Sequence, residues 1–200
     1  MSRAPKVVIV RTGIANTASI IAALTRAGAA AVLSEDLHEI ASAEKLVLPG
    51  VGAFGAGMET LRRIGIVDVL RDRISQSMPT FAVCLGLQLL FAGSEETPGI
   101  EGIAVFDGKI RRFPGTVRVP QLGWNKVLPD AGCVLLQPGY AYFANSYYAS
   151  GIPAQWSTAY AMHGERFVAG FERGAVLCCQ FHPELSGVWG EGLIKRWLDV

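Results

Sequence analysis

Short apolar runs alternate with amphipathic stretches along the first half of the chain. The first run, 7–10, is short and β-branched, which predicts a buried strand, and the mainly apolar runs at 30–33, 45–48 and 80–83 predict three more. Apolar residues between and after them recur at helical spacing, which predicts helices over 17–27, 37–43, 54–63, 66–77 and 86–91. This alternation predicts an α/β fold with a mostly parallel sheet that is flanked by helices on both faces.

The second half of the chain has a different pattern. Short β-rich segments, separated by Gly, Pro and Asp, occur around residues 109–112, 117–127, 141–148, 156–162, 167–171 and 175–181. They predict an antiparallel or mixed extension of the sheet, followed by a terminal helix from Gly192 to Leu198. No repeat, low-complexity tract or long linker divides the chain, so we expect a single domain over residues 1–200.

Composition and charge narrow the functional classes. Half of the residues are hydrophobic, and 18 basic and 17 acidic residues leave a net charge of +1, so a nucleic-acid partner is disfavoured. The first apolar run, Val7 to Val10, is too short for a signal-peptide core or a membrane span. We therefore expect a soluble, cytoplasmic protein. The four cysteines are few and irregularly spaced, which favours reduced thiols over a disulfide framework.

The segment from Phe81 to Gln88 has the pattern of an apolar strand that runs directly into a helix, with Cys84 at the junction. Such a turn is typical of a nucleophile elbow, which presents one side chain above the edge of the sheet. The start of the helix offers free backbone N–H groups and a partial positive charge, both of which favour a thiolate. A buried core thiol is the alternative interpretation of Cys84.

A candidate base lies in the segment Cys179-Gln180-Phe181-His182-Pro183-Glu184. If this segment is extended, His182 and Glu184 project to the same side, and the carboxylate can fix the imidazole tautomer. The alternatives are an ordinary surface pair or a metal site with Cys178 and Cys179. The metal site is disfavoured because adjacent strand cysteines face opposite sides and no second ligand pair is present.

A glycine-rich segment, Leu48 to Gly55, follows the third predicted strand. Its glycines permit unusual backbone angles and a close approach to a ligand. An ordinary turn or a phosphate loop are the alternatives. The segment lacks the Gly-Lys-Ser/Thr of a Walker loop and the full dinucleotide fingerprint, which disfavours nucleotide binding.

Taken together and in this order, the three segments resemble the motifs of the class I glutamine amidotransferases. Within that family, the chain looks most like the glutaminase subunits of imidazole glycerol phosphate synthases of histidine biosynthesis. The pointers to that branch are residues 49–54, 119–125 and 142–147. The resemblance covers nearly the whole chain, and it implies a flavodoxin-like sheet.

The resemblance implies a glutaminase that hydrolyses L-glutamine to L-glutamate and ammonia through a thioester on Cys84. His182 would be the base, oriented by Glu184. The oxyanion hole would be formed by the backbone of Gly50, Val51, Gly52 and Leu85. Glutamine would be bound by Gln88, one helical turn after the nucleophile, and by Glu96, Ser146 and Tyr147.

The resemblance also implies a partner and no cofactor or metal. The partner would be a cyclase subunit with a (β/α)8 barrel, which uses the ammonia within a heterodimer. Asn16, Trp124 and Tyr142 would lie at that interface, although such aromatics also pack in many cores.

Some positions depart from the common family pattern. Ala82 replaces a usual Gly, Gln121 and Asn145 replace frequent His residues, and Leu185 replaces a Lys expected at the partner interface. The usual Gly before Asn16 is also replaced by Ala15. The alternatives within this reasoning are a glutaminase of another pathway, a non-catalytic regulatory subunit, and a cysteine hydrolase on a similar sheet.

Overall fold

The structure, a computed structural model, describes residues 4–13 and 17–200. Within these residues the strands are β1 Lys6–Val10, β2 Ala30–Ser34, β3 Lys45–Leu48, β4 Thr80–Val83, β5 Phe91–Ser94, β6 Phe106–Arg112, β7 Gln121–Pro129, β8 Gly139–Asn145, β9 Tyr147–Ala149, β10 Ser157–His163, β11 Glu165–Arg173 and β12 Val176–Cys179. The helices are α1 Thr17–Arg26, α2 Leu37–Ala41, α3 Phe54–Arg63, α4 Val67–Ser75, α5 Leu85–Leu89 and α6 Gly187–Leu198. A 3₁₀ turn, Pro183–Leu185, precedes α6.

The strands of the described chain form one large and one small sheet. The large sheet has nine strands in the order β2-β1-β3-β4-β12-β11-β10-β7-β8, and the small one has the order β5-β6-β9. From β2 to β12 the neighbours are parallel. From β12 to β8 they are antiparallel. The predicted fold class, a mostly parallel sheet with an antiparallel extension in the second half, is confirmed.

Helices cover both faces of the parallel strands. One buried cluster joins α1 and α6 to the sheet through Ile20, Leu24 and Trp197. The other joins α3 and α4 to the opposite face through Phe54 and Leu70, among others. Strands β3, β4 and β12 are buried at every position, which explains why their sequences are continuous apolar runs without alternation.

The antiparallel strands are half-exposed. In β7, Gln121 and Val127 are buried, whereas Leu122, Trp124 and Leu128 on the other face are exposed. The usual alternation of polar and apolar positions is absent here, because the exposed face carries these large apolar side chains while the inner face includes Gln121 and Asn125. No helix in the described part of the chain is long and apolar enough to cross a membrane.

Several predicted boundaries are wrong for identifiable reasons. The helix predicted over 86–91 ends at Leu89, because the next apolar residues form β5 and pair with β6. The segment predicted as continuous over 141–148 divides at Ser146 into β8 and β9, which belong to different sheets. The terminal helix begins at Gly187, five residues before the predicted start. Local periodicity does not register such tertiary pairing.

Candidate active site

Cys84 lies in the turn between β4 and α5, at the carboxyl end of the parallel strands. Its backbone has φ 53° and ψ −109°, although it is not a glycine. A conformation of this kind costs about 1–3 kcal/mol and persists only where the surrounding structure imposes it. The side chain is nearly buried, with 7% exposed. The strained turn holds the thiol at one position above the sheet.

Close backbone packing imposes this turn. The Cys84 N–H donates to the Cys179 carbonyl of β12 at 2.8 Å. A Cβ on Gly86 would lie 2.0 Å from the carbonyl oxygen of Leu48, so only glycine fits between α5 and β3. A Cβ on Gly50 would lie 2.9 Å from the Gly86 nitrogen. Because Gly50 and Gly86 have no side chains, the ends of β3, β4 and β12 can approach one another at Cys84.

His182 and Glu184 follow β12, the strand next to β4, and the structure places them in contact. The His182 Nδ1 donates to Glu184 Oε1 at 2.9 Å, and both side chains are nearly buried. The two side chains were predicted to meet because the segment is extended. In the structure β12 ends at Cys179, and Glu184 reaches His182 from the 3₁₀ turn. The backbone of β8 holds His182 in place, because the His182 N–H donates to the Tyr142 carbonyl at 2.8 Å.

The charge state of His182 depends on its two neighbours. Burial opposes the charged imidazolium, but hydrogen bonds and negative charge from Cys84 and Glu184 outweigh that effect and raise the pKa of His182 to about 10. The protonated imidazole is therefore the favoured form when both neighbours are ionised. A protonated His182 beside Cys84 is suited to stabilise negative charge on the sulfur.

A cavity of about 250 Å³ opens beside Cys84. The structure brings to its wall most of the residues predicted from the sequence, namely Val51, Gly52, Cys84, Leu85, Gln88, Glu96, Ser146, Tyr147 and His182. Ala144 and Asn145, which the sequence analysis did not assign to the site, also line it. Both could have been found from the sequence, because they directly precede the predicted ligand residues Ser146 and Tyr147. Gly50 and Glu184 do not line this cavity; they line a small neighbouring pocket together with Val51 and His182.

The remaining predicted ligand residues are tied to the backbone. Glu96 Oε2 accepts from the Phe54 N–H at 2.7 Å, so this carboxylate anchors the start of α3 as well as facing the cavity. The amide nitrogen of Gln88 donates to the Tyr147 carbonyl at 3.2 Å. One negative charge and several amide groups can therefore meet the ammonium, carboxylate and amide of an amino acid.

The carbonyl of Gly50 in the glycine loop engages one of the predicted oxyanion donors in this conformation. The Leu85 N–H, predicted to hold an oxyanion, donates to the Gly50 carbonyl at 3.2 Å. Gly52 has φ +97°, a conformation that other residues rarely adopt. For the Leu85 N–H to reach a substrate oxygen, the peptide between Gly50 and Val51 has to turn away.

The aromatic residues predicted at an interface lie at the surface near the site. Trp124 is 59% exposed and packs edge-on against Tyr142, with ring centroids 6.3 Å apart. Val188 and Leu185, at 90% and 43% exposure, belong to the neighbouring turn and helix α6. Asn16 lies outside the described residues, as does Ala15. The exposed apolar side chains of this region are of the kind that a protein partner covers.

Comparison with known proteins shows the family. A family model for class I glutamine amidotransferases matches residues 8–197. The chain therefore belongs to the class I glutamine amidotransferase family, as its motifs predicted.

Curated relatives match over nearly the full length. Imidazole glycerol phosphate synthase subunit HisH of Thermococcus kodakarensis is 41% identical over an alignment of 201 residues. The alignment covers 96% of this chain and 98% of that protein. The subunit HisH of Symbiobacterium thermophilum is 37% identical over 196 residues, covering 96% and 92%. A Pseudomonas aeruginosa protein named imidazole glycerol phosphate synthase subunit HisH 2 is 37% identical, covering 97% and 99%.

Solved structures support the fold. A crystal structure described as a glutamine amidotransferase superposes with a TM-score of 0.76 at 20% identity, covering 96% of this chain and 97% of that one. A glutamine amidotransferase from Thermotoga maritima gives a TM-score of 0.60 at 13% identity, covering 99% and 84%. At these identities the likeness concerns the fold alone.

Proposed function

We propose that this protein is the glutaminase subunit of an imidazole glycerol phosphate synthase, with residues 1–200 forming one amidotransferase domain. The observation that carries the proposal is the meeting of a strained Cys84 with the buried His182–Glu184 pair in one cavity. The full-length similarity to proteins named subunit HisH supports the choice of pathway.

The reaction begins with the Cys84 thiolate attacking the side-chain carbonyl carbon of glutamine. The protonated His182 gives its proton to the departing nitrogen, ammonia leaves, and a glutamyl thioester remains. His182 then takes a proton from water, which attacks the thioester. Glutamate is released, and the thiolate is restored. Glu184 holds the imidazole in the tautomer that both steps need.

The tetrahedral oxyanion requires hydrogen-bond donors beside Cys84. We propose that the peptide after Gly50 turns, which frees the Leu85 N–H and brings the Val51 or Gly52 N–H toward the substrate. Because the Gly50 carbonyl engages Leu85 in this conformation, the isolated chain should hydrolyse glutamine slowly. Removing an oxyanion donor costs about 10²–10³ in rate in other enzymes.

Gln88, Glu96, Ser146 and Tyr147 are proposed to hold the substrate. The Glu96 carboxylate suits the α-ammonium of glutamine, and the backbone at Ser146 and Tyr147 suits its carboxylate. No cofactor is needed for this chemistry, because the thiol and imidazole supply both the nucleophile and the proton transfers.

The ammonia is proposed to pass to a cyclase subunit with a (β/α)8 barrel, bound as a heterodimer in the cytoplasm. The exposed Trp124 beside Tyr142 supports a docking surface close to His182, since aromatic anchors dominate the energetics of many interfaces. Asn16 belongs to the same proposal on resemblance alone. The exposed Leu185, where the family commonly has Lys, favours one alternative: a glutaminase that serves a different acceptor enzyme.

The test is glutamate production by the purified protein alone and with the cyclase subunit encoded by the same organism, with and without its nucleotide substrate. We expect low activity alone and clear stimulation by the liganded partner. Stimulation by an acceptor enzyme of another pathway, and not by the cyclase, would support the alternative. High activity that no partner changes would contradict the coupling.

A further inference from the structure

Gln180 contacts the sulfur of Cys84 and does not line the cavity. Its Nε2 donates to Cys84 Sγ at 3.6 Å, and its side chain is fully buried. It follows β12 by one residue, and its backbone N–H donates to the Ala169 carbonyl at 2.8 Å. The residue is therefore fixed at the strand end that adjoins the elbow. It is not among the residues that line the cavity.

A chain of hydrogen bonds determines which end of the Gln180 amide faces the sulfur. It begins at the Tyr147 carbonyl, which can only accept, so the Gln88 group within 3.2 Å of it must be the amide nitrogen. The same nitrogen lies 2.9 Å from Gln180 Oε1, which accepts its second hydrogen. Since Gln180 Oε1 is used in this way, its Nε2 must point to Cys84.

We propose that Gln180 is a second group that activates Cys84, a donor to its thiolate aimed by the Tyr147 carbonyl through Gln88. This inference rests on the proposed role of Cys84 as the nucleophile. A hydrogen bond to the charged form of a group favours that form, so the Gln180 N–H adds to the effect of the His182 imidazolium. Gln88 then has two roles, because it lines the cavity and also orients the donor.

The absence of Gln180 from the cavity wall separates this role from direct contact with the substrate. A residue that contacts the reacting atom and not the substrate should affect kcat more than KM. Gln88 keeps its hydrogen bond to the Tyr147 carbonyl when Gln180 is replaced. A buried amide that only filled space would change stability and leave the reactivity of the thiol as it was. The reactivity of Cys84 toward an alkylating reagent therefore reports on the proposal without requiring glutamine hydrolysis.

The test compares Gln180→Met with the wild type in the full-length protein. Rates of alkylation by iodoacetamide are measured from pH 6 to 10, and the Cys84 peptide is quantified by mass spectrometry. We expect the midpoint of the pH profile to rise by about one unit, because a donor to the thiolate is lost. We expect kcat to fall by about tenfold with KM changed less than about twofold.

The other thiols do not interfere with this measurement. Burial raises the pKa of Cys133 to about 12, and burial raises the pKa of Cys178 and Cys179 as well.

Gln121→Met is the matched control. Gln121 is also a buried glutamine, but neither amide atom has a hydrogen-bond partner among the described residues. Its substitution should leave the Cys84 profile unchanged. An equal shift in both variants, or no shift in Gln180→Met, would overturn the proposal.

If Gln180→Met does not fold, Gln180→Glu replaces it, because a carboxyl keeps the shape and still accepts from Gln88. The carboxylate removes the donor and adds a like charge beside the sulfur, so the midpoint should rise further. An unchanged profile in Gln180→Glu would also overturn the proposal. The proposed glutaminase mechanism fails in a different way, namely if Cys84→Ala still hydrolyses glutamine.

Discussion

The parallel and antiparallel strands of the main sheet contribute differently to the site. The parallel strands β3, β4 and β12 are buried on both faces, and the segments after them carry Gly50, Cys84 and His182. Three chain segments thus meet at the carboxyl edge of the parallel strands, where α/β sheets place their ligands. The groups proposed to make and break bonds all come from this half.

The antiparallel strands supply a wall and a surface. The end of β8 at Asn145 and the adjoining Tyr147 form one side of the cavity, and the Tyr142 carbonyl holds the backbone of His182. The outer face of β7 exposes Leu122 and Trp124. The comparison indicates that reactive groups lie on the doubly covered part of the sheet, while the half-covered part shapes the cavity and remains available for a partner.

Histidines from the two halves give the largest expected contrast. His182→Asn should lower glutamine hydrolysis by about 10³–10⁴, because the proton transfers lose their carrier. His163→Asn, at the end of β10, should leave hydrolysis unchanged, since His163 contacts Phe113 and the Arg118 carbonyl and does not line the cavity. Steady-state glutamate release measures both. A comparable loss in His163→Asn would break the comparison.

Glycines from the two halves should differ in stability. Gly86→Ala should lower the free energy of unfolding by about 3 kcal/mol, because the new Cβ would lie 2.0 Å from the Leu48 carbonyl oxygen. Gly115→Ala, in the loop that leads into β7, meets no atom within 4 Å and should change the free energy of unfolding by less than about 0.5 kcal/mol. Urea denaturation of both variants is the measurement. Equal effects would mean that the elbow is not tightly packed.

The His182–Glu184 pair should make stability depend on pH, with a smaller effect. The pKa of His182 is raised to about 10, so the fold stabilises the protonated form. That contribution is complete below the ordinary histidine value of about 6.5 and is lost as the pH rises through about 10. Glu184→Gln removes one cause of the shift and should lower the free energy of unfolding by about 1–2 kcal/mol near pH 7.

The difference between the wild type and Glu184→Gln should therefore shrink between pH 7 and pH 10.5. Groups elsewhere titrate alike in both proteins and cancel in the difference. Urea midpoints measured across this range test the expectation. A difference that grows with pH would show that His182 is stabilised as the neutral imidazole.

The parallel half of the fold was predictable because its local signals agree. Apolar runs of three or four residues mark β1, β3 and β4, and the helices between them have regular apolar spacing. The junction at Cys84 was identified for the same reason, since a strand and a helix meet there without an intervening loop. The family motifs then connected this junction to His182 and Glu184.

The rest depended on contacts that the sequence does not express. The pairing of Phe91 with Phe106 turns the end of a predicted helix into a strand. The hydrogen bond from the Leu85 N–H to the Gly50 carbonyl depends on one orientation of the peptide after Gly50, and nothing in either sequence segment dictates that orientation. The contact of Gln180 with Cys84 joins positions 96 residues apart in the chain. Each of these follows from tertiary packing and not from local propensity.

The most direct test of the account is covalent labelling with an electrophilic glutamine analogue, 6-diazo-5-oxo-L-norleucine. The analogue should enter the cavity and alkylate the Cys84 sulfur, and peptide mass spectrometry should find the adduct on Cys84 together with complete loss of glutamine hydrolysis. Cys84→Ala should fold, bind its partner, take up no label and release no glutamate. Labelling at Cys133 in place of Cys84, or glutamate release by Cys84→Ala at the wild-type rate, would contradict the central claim that Cys84 is the nucleophile.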